Sequence, residues 1–370
     1  LGKKLLTIIL CIVCVGCLGL SWRYIKKSGI MKKYPDAVYL TTDEKNMRPI
    51  YRQLTTKEKS VYTALYRGIS EKKEKIPLPY EVDGKTYSRI YCILEKQESE
   101  FYYLDSVYYT AQKVREAKIA YRDMTRPHQK EQDLEGALEA FMSDVDDLTN
   151  DESKARYIND FIVRKCSYIT GDDSEFASTI YGCLVRGEAN CEGYAKAFNY
   201  LAAKLGLESV VITGTTDKGE NHAWNQVNID GEWYNIDVTW ADTDKVGEMR
   251  QMYFLCSDVE FSKTHYADDS LFTPFPCVSN KWNYYVKNGL YADSYEKAEE
   301  IVRRELSKGN GTIEIRFANS DVYVDFREHF ITEENVFKVL DETGYEYGNE
   351  VTFSLKENEQ ELCLTMLFTE

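Results

Sequence analysis

The apolar positions of this chain switch between a spacing of three to four residues and strict alternation, and the switches divide it into segments. Residues 5–22 (LLTIILCIVCVGCLGLSW) carry no charge, a run at the lower length limit for a helix that crosses a hydrocarbon core. After a basic linker, Thr55 and Glu58 have capping-box spacing behind Leu54, and Val61, Tyr62, Leu65, Tyr66 and Ile69 repeat at helical intervals. Strand-like runs follow at 86–94, 101–109 and 113–121, so residues 34–130 read as a small α+β domain. Its tyrosines Tyr102, Tyr103, Tyr108 and Tyr109 suit a half-buried packing face better than a ligand-stacking one. Pro127 and polar residues 129–133 mark a boundary, beyond which helical patterns run at about 134–148 and 151–166. From about residue 283 a helix introduced by Asp293 and Glu296 carries Ala298, Ile301, Val302 and Leu306 on one face. A strand at 312–317, a helix from Thr332 and strands at 350–355 and 361–368 complete an α/β domain at 281–370.

The middle of the chain carries the chemistry. In GEANCEGYAKAFNYLAAKLG (187–206) the apolar residues have helical period, Asn190 is a good N-cap and Gly206 a good stop, so Cys191 opens a helix. The positive end of the helix dipole and the unpaired amides there favour a thiolate. Taken alone, such a cysteine is more often a small buried residue. Next come a strand at 209–213, the run HAWNQVNI (222–229), Asp230-Gly231, and the run EWYNIDV (232–238). Asp-Gly between two strand runs is a strong hairpin signal, because both turn positions need a positive φ. Pairing Ile229 with Glu232 sets Trp224 opposite Asp237 and His222 opposite Thr239, with all four side chains on one face. His222 and Asp237 then become diagonal neighbours about 7 Å apart at the backbone, within reach of a side-chain hydrogen bond. A nucleophilic thiol needs this set: Cys191 on a helix N-terminus, His222 to take and return its proton, and Asp237 to orient the ring. The other histidines, His128, His265 and His329, have no neighbouring motif and read as ordinary surface or interface residues.

Charge and cysteine usage narrow the setting. The formal net charge is -15, yet residues 1–33 hold seven basic residues and no acid, which leaves 39 basic against 61 acidic residues in the body. So acidic a body repels phosphate backbones, which excludes nucleic acid as an expected partner. The basic flank and the lack of a small-residue cleavage pattern make 1–33 read as an uncleaved signal anchor, with the body on the extracytoplasmic side. The rival is a lipoprotein modified at Cys17, although Cys14 stands where a lipobox expects leucine. Seven scattered cysteines outside that segment give no zinc spacing and no disulfide framework. Asp242 and Asp244 read as solvated turn carboxylates rather than a calcium loop. No metal or cofactor is expected.

GEANCEGYA, NHAWNQV and GEWYNIDVTWAD resemble the three core motifs of the transglutaminase-like superfamily, and STIYGCLVRGEANC is similar to its bacterial members. The resemblance covers about residues 140–260 and implies a papain-like α+β core at 131–280, flanked by the two smaller domains. It implies Cys191 as nucleophile, His222 as general base and Asp237 as orienting acid, acting on protein or peptide amides, including cell-surface ones, through a thioester resolved by water or an amine. Crosslinkers, peptidases and members with lost activity all occur within such a family; a silent, membrane-tethered binding or scaffold protein is the alternative reading of this chain, and the bacterial cell membrane is the expected location. Two further cleft residues are candidates: Tyr181 as a second oxyanion donor and Trp224 as a wall beside the histidine, each otherwise a packed aromatic.

Overall fold

The structure is a computed structural model that describes residues 34–122, 125–170, 174–243, 250–345, 352–359 and 361–369. The expected anchor, Cys17 and Asp244 lie outside the described residues. Among the described residues no helix is long and apolar enough to cross a membrane. The described residues divide into two compact units: residues 34–42, 53–95 and 103–122, and residues 43–52, 96–102 and those from 125 onward.

In the first unit, helix α1 (Thr56–Ser70) starts at the expected capping box. Thr55 Oγ1 accepts from the Glu58 amide at 3.4 Å, and Glu58 Oε2 accepts from the Thr55 amide at 2.9 Å. The run expected as a strand at 86–94 lies instead in a helix, α2 (Gly84–Gln97). Its aromatic and β-branched content suggests a strand, but Tyr87, Ile90, Tyr91 and Leu94 are buried at helical spacing, and the periodicity prevails over propensity. The missing strand is β1 (Lys75–Asp83), which joins β2 (Leu104–Tyr108) and β3 (Lys113–Tyr121) in an antiparallel sheet of order β1-β3-β2. Pro77 and Pro79 argue against a central strand; β1 tolerates them because it is an edge strand whose register breaks between Pro77 and Val82.

The second unit begins with helices α3 (Pro127–Met142) and α4 (Asp151–Lys165). The first starts earlier than its apolar pattern suggests, because Pro127 sits in the first turn, where a missing N–H costs nothing. Strands β4 (Ser167–Tyr168) and β5 (Glu188–Ala189) form a short parallel pair that leads into α5 (Cys191–Lys204). That helix lies on a four-stranded antiparallel sheet of order β8-β7-β6-β9, built from β6 (Ser209–Thr216), β7 (Asn221–Ile229), β8 (Glu232–Ile236) and β9 (His265–Ala267). The hairpin forms in the expected register, with Ile229 opposite Glu232 and Asn225 opposite Ile236, and both Asp230 and Gly231 at positive φ. Strand β8 ends sooner than expected. Asp237 caps a helical turn, α6 (Val238–Ala241), which takes Thr239 out of the sheet.

The C-terminal part closes on a sheet of order β10-β11-β13-β12: β10 (Tyr291–Ala292), β11 (Thr312–Phe317), β12 (Thr352–Asn358) and β13 (Cys363–Thr369). Ile301 and Val302 of helix α7 (Tyr295–Ser307) share its core with Ile313, Ile315, Leu364 and Met366. The cap of α7 is Ser294, which accepts from the Lys297 amide, rather than Asp293. A helix at Ser320–Phe326, absent from the sequence reading, precedes the last one, which starts at Asn335.

One glycine fixes how the sheet closes under the site. Gly214 pairs with His222 across β6 and β7, and a Cβ there would strike the Tyr266 carbonyl of β9 and lie 2.8 Å from the Trp224 ring. Gly214→Ala is therefore expected to destabilise the protein by about 1–3 kcal/mol, the usual cost of overpacking. Denaturant unfolding measures it, and an unchanged midpoint would mean that β9 and Trp224 do not close over this position.

Candidate active site

The start of α5 is held by Asn190, whose Oδ1 accepts from the amides of Glu192 at 3.1 Å and Gly193 at 3.2 Å. Both amides are thereby satisfied, whereas the Cys191 amide has no acceptor among the described residues. The half-buried Cys191 packs on Ala195, Val211 and Ala223, small residues that bring the helix close to the sheet. Gly193 allows a different close approach, to the segment that precedes the helix, since a Cβ there would meet the Ala177 carbonyl.

His222 lies on β7, buried, with Nε2 2.7 Å from Asp237 Oδ2. With Nε2 so occupied, Nδ1 is the nitrogen left to face Cys191, which lines the same cavity as the ring. Burial disfavours the imidazolium, but the Asp237 charge and hydrogen bond, aided by Cys191, outweigh it and push the His222 pKa up to about 10. Asp237 is 1% exposed. Burial would raise its pKa, yet His222 first and His265 second hold the carboxyl well below the usual range. Its other oxygen, Oδ1, caps α6 by accepting from the Trp240 amide at 3.1 Å.

The structure thus brings Cys191, His222 and Asp237 together and assigns the two other candidates different places. Trp224 is 2% exposed and stacks under His222 with ring centroids 6.2 Å apart, so it backs the ring and does not line the cavity. Tyr181 donates its hydroxyl to Asp133 at 3.0 Å and stacks on Tyr102 at 5.5 Å. It is a packed aromatic outside the cavity lining, not an oxyanion donor. Asp242 accepts the buried Tyr194 hydroxyl at 2.7 Å, which corrects its reading as a solvated turn carboxylate.

His265 corrects a second reading. His128 and His329 lie at the surface, but the His265 side chain is 0% exposed and its Nε2 lies 3.1 Å from Asp237 Oδ2. No motif announces it: a three-residue strand reaches this place through pairing with β6, a contact that a single sequence does not encode locally. His222, Asp237 and His265 are also the one group among the described residues with spacing for a metal ion. The 2.7 and 3.1 Å contacts are hydrogen-bond lengths, so protons already account for this spacing.

Cys191 and His222 open into a cavity of about 510 Å³, lined also by Glu192, Thr213, Tyr266 and Asp268. Glu192 is clamped between Lys96 and Lys196, each at 2.7 Å. Burial would raise its pKa, but the two ammonium groups, Lys196 foremost, bring it down to about 2. Five of the seven cysteines in the described residues are buried.

A helix-borne thiol beside a sheet-borne imidazole and carboxylate defines a transglutaminase-like core, and residues 139–238, which hold all three, match the model of the transglutaminase-like superfamily. That segment belongs to this superfamily. Over 100 aligned residues it is similar to the kyphoscoliosis peptidases of mouse, 30% identical, and human, 29% identical, covering 22% of this chain and 15% of either relative. The chain therefore matches only a small part of the length of these relatives. Among solved structures it is similar to a TGase at 14% identity and TM-score 0.27, covering 37% of this chain and 43% of that one. A proposed cysteine protease from Cytophaga hutchinsonii shows 23% identity and TM-score 0.25, covering 30% and 38%.

The raised His222 and lowered Asp237 pKa values describe one ion pair, and its stability contribution has a sign at each end. The His222 part is complete below the unfolded value near 6.5 and is lost as pH rises through about 10. The Asp237 part is complete above the unfolded value near 3.8 and is lost in acid. Thermal midpoints of the wild type minus those of His222→Gln, measured against pH, should fall toward alkaline pH. A flat difference would contradict the buried pair.

Proposed function

We propose that this protein is a cysteine-dependent acyltransferase or peptidase that attacks amide bonds of proteins or peptides. The observation that supports this most directly is the His222–Asp237 pair at 2.7 Å with Cys191 and His222 lining one cavity. In the resting pair His222 Nδ1 holds the proton that has left the thiol, and the sulfur attacks the carbonyl carbon of a bound amide. The tetrahedral oxyanion forms beside the unpaired Cys191 amide, a donor of a kind typically worth about 3 kcal/mol to the transition state. The imidazolium returns its proton to the departing nitrogen as the C–N bond breaks, which leaves a thioester and free ammonia or amine. Water or a second amine, deprotonated by His222, then attacks the thioester and restores the thiol. Asp237 keeps the Nε2–H tautomer and stabilises the imidazolium without taking the proton.

The names of the mouse and human relatives favour a peptidase, and acyl transfer to an amine is the other outcome open to the thioester. A labelled primary amine added to a protein substrate separates the two, since incorporation marks transfer and new termini mark cleavage. Iodoacetamide should alkylate one thiol much faster than the rest at neutral pH, and Cys191→Ala should abolish that fast phase. Uniform cysteine reactivity would instead indicate a scaffold without turnover. Asp237→Asn should lower turnover by up to about 10⁴-fold, the scale of losing the orienting acid. Unchanged turnover in that variant would remove Asp237 from the mechanism.

A further inference from the structure

We infer that His265 is a positioning residue of this centre: a second buried imidazole that, with Thr264, holds the Asp237 carboxylate aimed at His222. The inference rests on the reading of Cys191 and His222 as a catalytic pair. Three donors converge on one carboxylate. Asp237 Oδ1 takes the Trp240 amide at 3.1 Å, while Oδ2 takes His222 Nε2 at 2.7 Å and His265 Nε2 at 3.1 Å. An ionised carboxylate only accepts, so each Nε2 must carry its proton. In a neutral His265 ring Nδ1 then accepts, and the Thr264 hydroxyl lies 2.8 Å from it as the matching donor. The tautomer of His265 is therefore fixed from both ends.

Packing alone does not explain an imidazole here. The ring stacks on Phe261 with centroids 4.0 Å apart and is walled by Trp224 at 5.1 Å, Trp240 at 4.5 Å and Tyr253 at 5.7 Å. A phenylalanine would fill such an aromatic box without the cost of burying two ring nitrogens. What the imidazole adds is a second proton donor at Oδ2. With one donor on each oxygen, the carboxylate could turn over and exchange its oxygens at little cost. Two donors on Oδ2 and one on Oδ1 leave one orientation that satisfies all three. The second donor also withdraws charge from Oδ2, so the shared proton stays on His222. The titratable groups around the two rings are Asp237 between them, Cys191 from α5, Tyr253 against His265, and Tyr168 of β4, which interacts with Cys191, Glu220 and Asp237.

The test uses the described chain with His265→Phe, which keeps an aromatic ring, and His265→Gln, whose side-chain amide keeps a donor near the Nε2 position. The rate of Cys191 alkylation by iodoacetamide, followed by mass spectrometry from about pH 5 to about pH 10, reports the thiol–imidazole pair without a substrate. His265→Phe should slow the fast phase about tenfold, the scale of losing a partner that orients a functional histidine. Its onset should also move to higher pH, toward that of an ordinary thiol, and His265→Gln should restore most of both. Wild-type rates and profile in His265→Phe, or equal losses in the two variants, would overturn the inference. Nitrogen-edited NMR of the imidazole rings in Cys191→Ala is a second measurement, independent of turnover and of whether His265→Phe folds. An Nε2-protonated His265 with a downfield ring proton supports the inference, and the Nδ1-protonated tautomer overturns it. Absence of a fast thiol in the wild type would overturn the catalytic reading itself, while the NMR measurement still reports separately on the His265–Asp237 bond.

Discussion

A carboxylate sealed from water at the end of a β-strand is the constraint around which this structure is arranged. Asp237 is 1% exposed, and a buried charge persists only where its oxygens are fully hydrogen-bonded and an opposite charge is near. Both conditions are met from different elements: β7 supplies His222, β9 supplies His265, and the turn that Asp237 itself caps supplies the Trp240 amide. The early end of β8 follows from this. A strand continuing through Thr239 would keep the Trp240 amide in a ladder, whereas the helical turn frees it to bind Oδ1.

The central chemistry was legible in the sequence because its signals are local. Asp230-Gly231 fixes a two-residue turn, the turn fixes the register, and the register sets His222 and Asp237 within contact; Asn190 and Gly206 likewise bracket the helix that presents Cys191. Signals that need tertiary context were misread. In 86–94 aromatic and β-branched content pointed to a strand, and only burial of Tyr87, Ile90, Tyr91 and Leu94 on one side shows the helix. Pro77 and Pro79 hid an edge strand. Tyr181 was placed near the cleft from sequence proximity, but its hydroxyl meets Asp133, a partner remote in sequence, whereas Trp224 stands beside His222 as the register implies and differs only in lying outside the cavity lining.

His265 is the extreme case. The three residues of β9 are too few for any alternation to be read, and the segment before it reaches the sheet through an irregular path. That path is tied down by Asn235, which pairs with Cys256 and donates to Asp258, and by Asp258, which accepts from the Cys277 amide at 2.8 Å. The aromatic side chains Tyr253 and Phe261 then enclose the imidazole.

The same segment explains why the C-terminal sheet belongs to one compact unit with the site. Arg316 of β11 is 4% exposed and donates to the Met252 carbonyl at 2.9 Å, at the start of the stretch that carries Tyr253, Phe261 and His265. Burial opposes its charge, but the nearby Cys256 and Glu260 offset this and leave the guanidinium pKa above its ordinary value, so Arg316 is charged. A buried, charged donor on that carbonyl resists displacement more than a neutral one, because an unpaired guanidinium in the interior is costly. The C-terminal domain therefore need not approach the substrate to matter for the chemistry. By holding Met252 it braces the stretch that positions His265, and through His265 the carboxylate on which the orientation of His222 depends.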